Sequence, residues 1–60
     1  MYLVKNVSQL RPTYQIKLLT FHAVESGKKL VLKVPRACRF HPRLEDLVNE
    51  NRKHIEREDL

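Results

Sequence analysis

Apolar and polar positions alternate in distinct runs along this chain. The plainest is Leu30-Val31-Leu32-Lys33-Val34, an apolar, β-branched segment held between Gly27 and Pro35, and it predicts a short core strand within residues 29 to 35. Residues 2 to 7 (Tyr2, Leu3, Val4, Lys5, Asn6, Val7) predict a first strand, apolar on both faces near its start. Ser8-Gln9-Leu10-Arg11-Pro12 then interrupts the pattern, because Pro12 disfavours helix at Arg11 and offers no amide to a ladder.

Two conformations compete for Thr13 to Val24. A helix has good punctuation: Thr13 as N-cap and Gly27 just past the last turn, with Lys28 and Lys29 at the negative end of the dipole. One face would carry Ile16, Leu19, Ala23 and Val24, but Tyr14, Leu18 and Phe21 would lie opposite, so the helix would be apolar on two sides. In a strand, Tyr14, Ile16 and Leu18 alternate with polar residues, and Leu19, Phe21 and Ala23 do so after one slip, which a β-bulge would absorb. Glu25-Ser26-Gly27-Lys28 would then turn a hairpin into the central strand. The helix is favoured, and its two apolar faces would suit a position between a sheet and a second subunit.

After Pro35 the residues from Arg36 to His41 predict a loop, and Pro42 marks the first position of a helix with Glu45 and Asp46 in its opening turn. Leu44, Leu47, Val48, Asn51 and Ile55 follow at spacings of 3, 1, 3 and 4, one stripe of a helix that would run from 42 to 56. Asn51 would fix register across a helix pair or lie at the edge of the buried face. From about residue 56 the acidic tail is expected to fray. The predicted fold class is α+β, a small two-layer β-α-β-α module with strands 2 to 7 and 29 to 35 and helices 13 to 25 and 42 to 56. The alternative is a three-stranded antiparallel sheet with one C-terminal helix.

Size changes the picture. A 60-residue chain forms one domain and buries only about 60% of its unfolded surface, so help from assembly is expected. The single cysteine, Cys38, forms no internal disulfide and suggests no zinc ribbon, which leaves a homo-oligomer or docking on a larger assembly. A lone thiol fits a reducing compartment. The N-terminus lacks the pattern of a secretory signal, and no apolar run approaches the roughly 20 residues of a membrane span. A soluble, cytoplasmic protein without a membrane partner is expected.

Charge is uneven. Residues 1 to 44 hold nine Lys and Arg against one acid, Glu25, whereas residues 45 to 60 hold three against six acids. Residues 26 to 44 alone carry Lys28, Lys29, Lys33, Arg36, Arg39 and Arg43 with no Asp or Glu. Such density is costly unless it is well solvated or meets an anion, although a net charge of this size also serves solubility alone. Phosphates are the natural partner, since each contact releases counterions. Phe40, between Arg39 and His41, offers either a ring for stacking on a base or a core anchor at the mouth of the last helix.

Catalytic candidates are few. Cys38 lies between Arg36 and Arg39, which would favour its thiolate, or it is a small buried apolar residue. His41 is three positions away, but two ligands do not make a metal site, and His22 and His54 have no pairing spacing. No catalytic residue, metal or cofactor is predicted.

Strand, Leu10-Arg11-Pro12, helix, Ser26-Gly27-Lys28-Lys29, strand, Pro35 and helix together resemble in layout the small TusA/SirA-like sulfur-carrier proteins. The resemblance implies an α+β fold. That family opens its first helix with Cys-Pro-x-Pro, whose cysteine carries the persulfide; here Arg11 precedes Pro12 and Tyr14 replaces the second proline, so the motif is absent.

Three functions are therefore expected, in descending order. The first is a non-enzymatic module that contacts RNA or DNA phosphates through Lys28, Lys29, Lys33, Arg36, Arg39 and Arg43, with Phe40 as a stacking group, in a dimer or a ribonucleoprotein. The second is a protein-interaction or regulatory module that binds an acidic partner. The third is a thiol-dependent carrier acting through Cys38.

Overall fold

A computed structural model describes residues 1–60. The chain is α+β and runs β1 (Tyr2–Val4), β2 (Gln9–Leu10), α1 (Tyr14–Ser26), β3 (Leu30–Val34), β4 (Arg39–Phe40), α2 (Pro42–Glu50) and β5 (Ile55–Asp59). This order contains more strands than β-α-β-α. The residues from 14 to 24 are helical, so the antiparallel hairpin is not formed, and every strand pair is parallel.

The ends of α1 follow from local chemistry. Thr13 Oγ1 accepts the Ile16 amide at 3.3 Å, which satisfies one of the donors exposed at a helix start. At the other end Gly27 takes φ 66°, and the amides of Gly27 and Lys28 reach back to the carbonyls of Val24 and Ala23 at 3.4 and 2.9 Å. This is a Schellman closure, and the left-handed residue at its pivot is the position where glycine lacks the Cβ penalty.

β3 is the centre of a three-stranded sheet ordered β1-β3-β5. Its alternate residues Leu30, Leu32 and Val34 are fully buried in one cluster with Ile16 and Ala23 of α1, Leu44 of α2 and Ile55 of β5. Both helices therefore cover the same side of β3. Val31 and Lys33 point to the other side, where no helix lies; in register with them are Tyr2 and Val4 of β1 and Glu56 and Glu58 of β5.

Several boundaries differ from those expected. The first strand ends at Val4 rather than at residue 7: Lys5 still donates its amide to the Lys33 carbonyl at 3.0 Å, after which the chain leaves the sheet and forms β2 against β4. α2 stops at Glu50 instead of 56. Asn51 caps it, with its side-chain amide donating to the Leu47 carbonyl at 2.9 Å and its backbone at φ −127°. Asn51 thus ends the helix, with its side chain bonded back to α2 itself.

Ile55 is buried as the apolar stripe required, but it is buried from the first position of a strand. Nor does the acidic tail fray. Residues 55 to 59 pair with all of β3 in register from Leu30↔Ile55 to Val34↔Asp59, and Leu60 donates to the Val34 carbonyl at 2.9 Å. The reason is that β3 would otherwise present a bare edge, and a charged strand both pairs with it and keeps the new edge soluble.

Candidate nucleic-acid interface

β3 separates the cations that the sequence places in one run. Lys28 and Lys29 precede it and lie at the sheet end where the N-terminal amine donates to the Lys29 carbonyl at 2.9 Å and His54 Nδ1 meets the Lys28 carbonyl at 3.0 Å. Arg36 follows the strand. The two groups therefore flank opposite ends of a strand about 16 Å long, at roughly 3.3 Å per residue.

Lys29 and Lys33 are already paired. Lys29 Nζ is 3.6 Å from Glu56 and Lys33 Nζ is 3.5 Å from Glu58. Lys33 also sits 5.0 Å above the Tyr2 ring centroid. These contacts join β1, β3 and β5 across the open side of the sheet. In water such pairs contribute up to about 1 kcal/mol each, so their main effect here is to cancel field rather than to hold the fold.

Arg36, Arg39 and Arg43 have no such partners. All three are exposed and none forms an ion pair. They sit at the end of the strands from which both β3 and β4 exit: Arg36 in the turn after β3, Arg39 in β4, Arg43 in the first turn of α2. β2 and β4 form a parallel two-residue ribbon, with the Arg39 amide donating to Ser8 and the His41 amide to Leu10 at 2.9 and 2.8 Å. Leu10 and Phe40 turn inward from it. Gln9 and Arg39 therefore share the outer face, and Arg11 follows just past the end of β2. Arg11 is exposed and unpaired as well, a contributor missed because it lies outside the run 26 to 44.

Arg43 has a mixed setting. It lines a shallow cleft with Lys17 and Pro12, but also with Asp46 and Glu50. Its amide donates to His41 Nδ1 at 3.1 Å, so that the His41 ring caps α2. Arg11, Arg36 and Arg39 are accordingly exposed cations without a carboxylate partner at this end of the sheet; Lys28, Arg52 and Lys53 are exposed and unpaired as well.

Phe40 is partly buried against the core, and the Arg57 guanidinium covers it at 4.9 Å from the ring centroid. The ring is a core anchor rather than a free platform for a base. Arg57 is the structural residue that the sequence did not reveal. It donates to the carbonyls of Pro35 and Arg36 at 3.2 and 3.1 Å and to Asp59 at 3.1 Å, and so pins the turn that presents Arg36. Only the pairing of β5 with β3 brings it there.

Cys38 is buried at 3% exposure among the core residues. That removes the access which a carrier thiol needs. No three His, Cys, Asp or Glu side chains gather in one cluster, and no helix is long and apolar enough to cross a membrane. No protein-family model, curated protein or solved structure matches this chain.

Proposed function

We propose that the chain is a non-enzymatic module that binds nucleic-acid phosphates through Arg11, Arg36 and Arg39, with Arg43 at the margin. One observation carries this reading: Arg36 and Arg39 stand exposed and free of carboxylates, whereas the two lysines of the same run that lie beside β5 are neutralised. Guanidinium groups suit the task because each can hold two phosphate oxygens in one plane. The ribbon holds Arg39 on its outer face with Arg11 just past the end of β2, and the Arg57 clamp holds the turn at Arg36.

Binding of the full chain to labelled single-stranded RNA and to duplex DNA, over salt from about 50 to 200 mM, tests it. Affinity should fall steeply with salt. Arg36→Glu/Arg39→Glu should weaken binding at least about tenfold for any base sequence and reduce the salt slope by about two, one for each guanidinium taken from a phosphate. Lys29→Gln/Lys33→Gln should change it much less. Equal losses in the two double variants, or none in the first, would refute this assignment.

A further inference from the structure

The outward side of α1 is apolar and uncovered. Tyr14, Leu18 and Phe21 are 80%, 46% and 62% exposed, on the side opposite Ile16, Thr20 and Ala23. The other uncovered surface, the open side of the sheet, is different, because Lys29, Lys33, Glu56, Glu58 and Tyr2 satisfy one another there. The α1 stripe has no internal partner of that kind.

Its spacing is symmetric. Tyr14, Leu18, Phe21 and Glu25 follow one another at intervals of 4, 3 and 4, so the stripe reads the same from either end about a point midway between Leu18 and Phe21. A two-fold axis at that point sets two α1 helices antiparallel. Leu18 of each copy then faces Phe21 of the other. Tyr14 and Glu25, equally far from the axis, come to the same height, where the phenol can donate to the carboxylate. Lys17 and His22 flank the stripe on opposite sides, so the two Lys17 side chains share one flank of the pair where they are exposed to water, and no cation lies within the stripe itself.

We infer that this face is the docking site for a second copy of the chain, paired through α1 in that antiparallel register. Such pairing does not depend on nucleic-acid binding. Two aromatic rings and a leucine from each copy, with their flanks, would bury roughly 800–1,000 Å² in total, below the ~1,200–2,000 Å² of a firm interface, and the dimer is therefore reversible.

Sedimentation equilibrium of the full chain from about 1 µM to 1 mM reads the association directly. The mass should rise toward that of two chains, and Leu18→Lys/Phe21→Lys should weaken association at least about tenfold while leaving the circular dichroism unchanged, since both positions are exposed. A charge exchange tests the register. Tyr14→Glu sets a second carboxylate against Glu25 of the other copy and should associate poorly, whereas mixing it with Glu25→Lys should restore pairing as a heterodimer. A chain that stays monomeric to about 1 mM, a Leu18→Lys/Phe21→Lys variant that dimerises like the parent, or a mixture no tighter than Tyr14→Glu alone would each overturn the proposal.

Discussion

The two helices of this chain solve the same packing problem in opposite ways. α2 turns its one fully buried residue, Leu44, with Leu47 and Val48 toward the sheet and shows Arg43, Glu45, Asp46, Asn49 and Glu50 to water. α1 turns Ile16, Thr20 and Ala23 inward and leaves larger side chains, Tyr14, Leu18 and Phe21, outside. Small residues let its backbone lie close to β3. Thr20 satisfies itself there, its hydroxyl donating to the Ile16 carbonyl at 2.8 Å. The fully buried positions of α1 thus carry, on the whole, smaller side chains than its exposed stripe. Depth of burial in a helix follows from fit to the sheet, not from hydrophobicity alone.

The contrast can be broken most severely at the core. Leu44→Ala and Ile16→Ala remove the largest fully buried side chain of each helix, and each should destabilise by about 2–5 kcal/mol, enough to unfold a domain of this size; urea unfolding would show it. Equal and small losses would mean that neither helix is anchored as described. At the next level, Gly27→Ala should cost about 1 kcal/mol. A Cβ there meets no atom within 4 Å, so the whole loss would be conformational, and replacement by Asn should recover part of it.

The smallest effect belongs to the outer stripe. Leu18→Ser should shift the stability of the monomer by no more than about 0.5 kcal/mol at dilute concentration. A larger loss measured where the chain is monomeric would place Leu18 in the fold rather than at a contact between copies. The same substitution at Leu30, buried in the strand, would be ruinous.

What could be read in advance shares one property: it is local. Thr13 and Gly27 announce α1 because caps act over three or four residues, and Pro35 and Pro42 bracket the loop for the same reason. The two-residue strands β2 and β4 are too short for any periodicity. β5, Ile-Glu-Arg-Glu-Asp, has one apolar residue and therefore no strand signal of its own. The candidate site was half legible. Arg36 and Arg39 stood out by density, but that Lys29 and Lys33 are neutralised, that Phe40 is covered, and that the segment just before Arg11 pairs with the one carrying Arg39 all depend on pairings made far along the chain.

Residue order alone was enough for the cap positions that favour α1 over a competing strand, the core strand β3, the start of α2, the lone thiol and an excess of cations in one run. Packing in three dimensions set where α2 stops, made the acidic tail an edge strand, and selected which cations remain unpaired. The physical reason is the sheet. A strand rich in Glu and Asp has no apolar pattern of its own; it forms here because β3 offers its free amides and carbonyls from more than twenty residues away, with Lys29 and Lys33 beside its carboxylates.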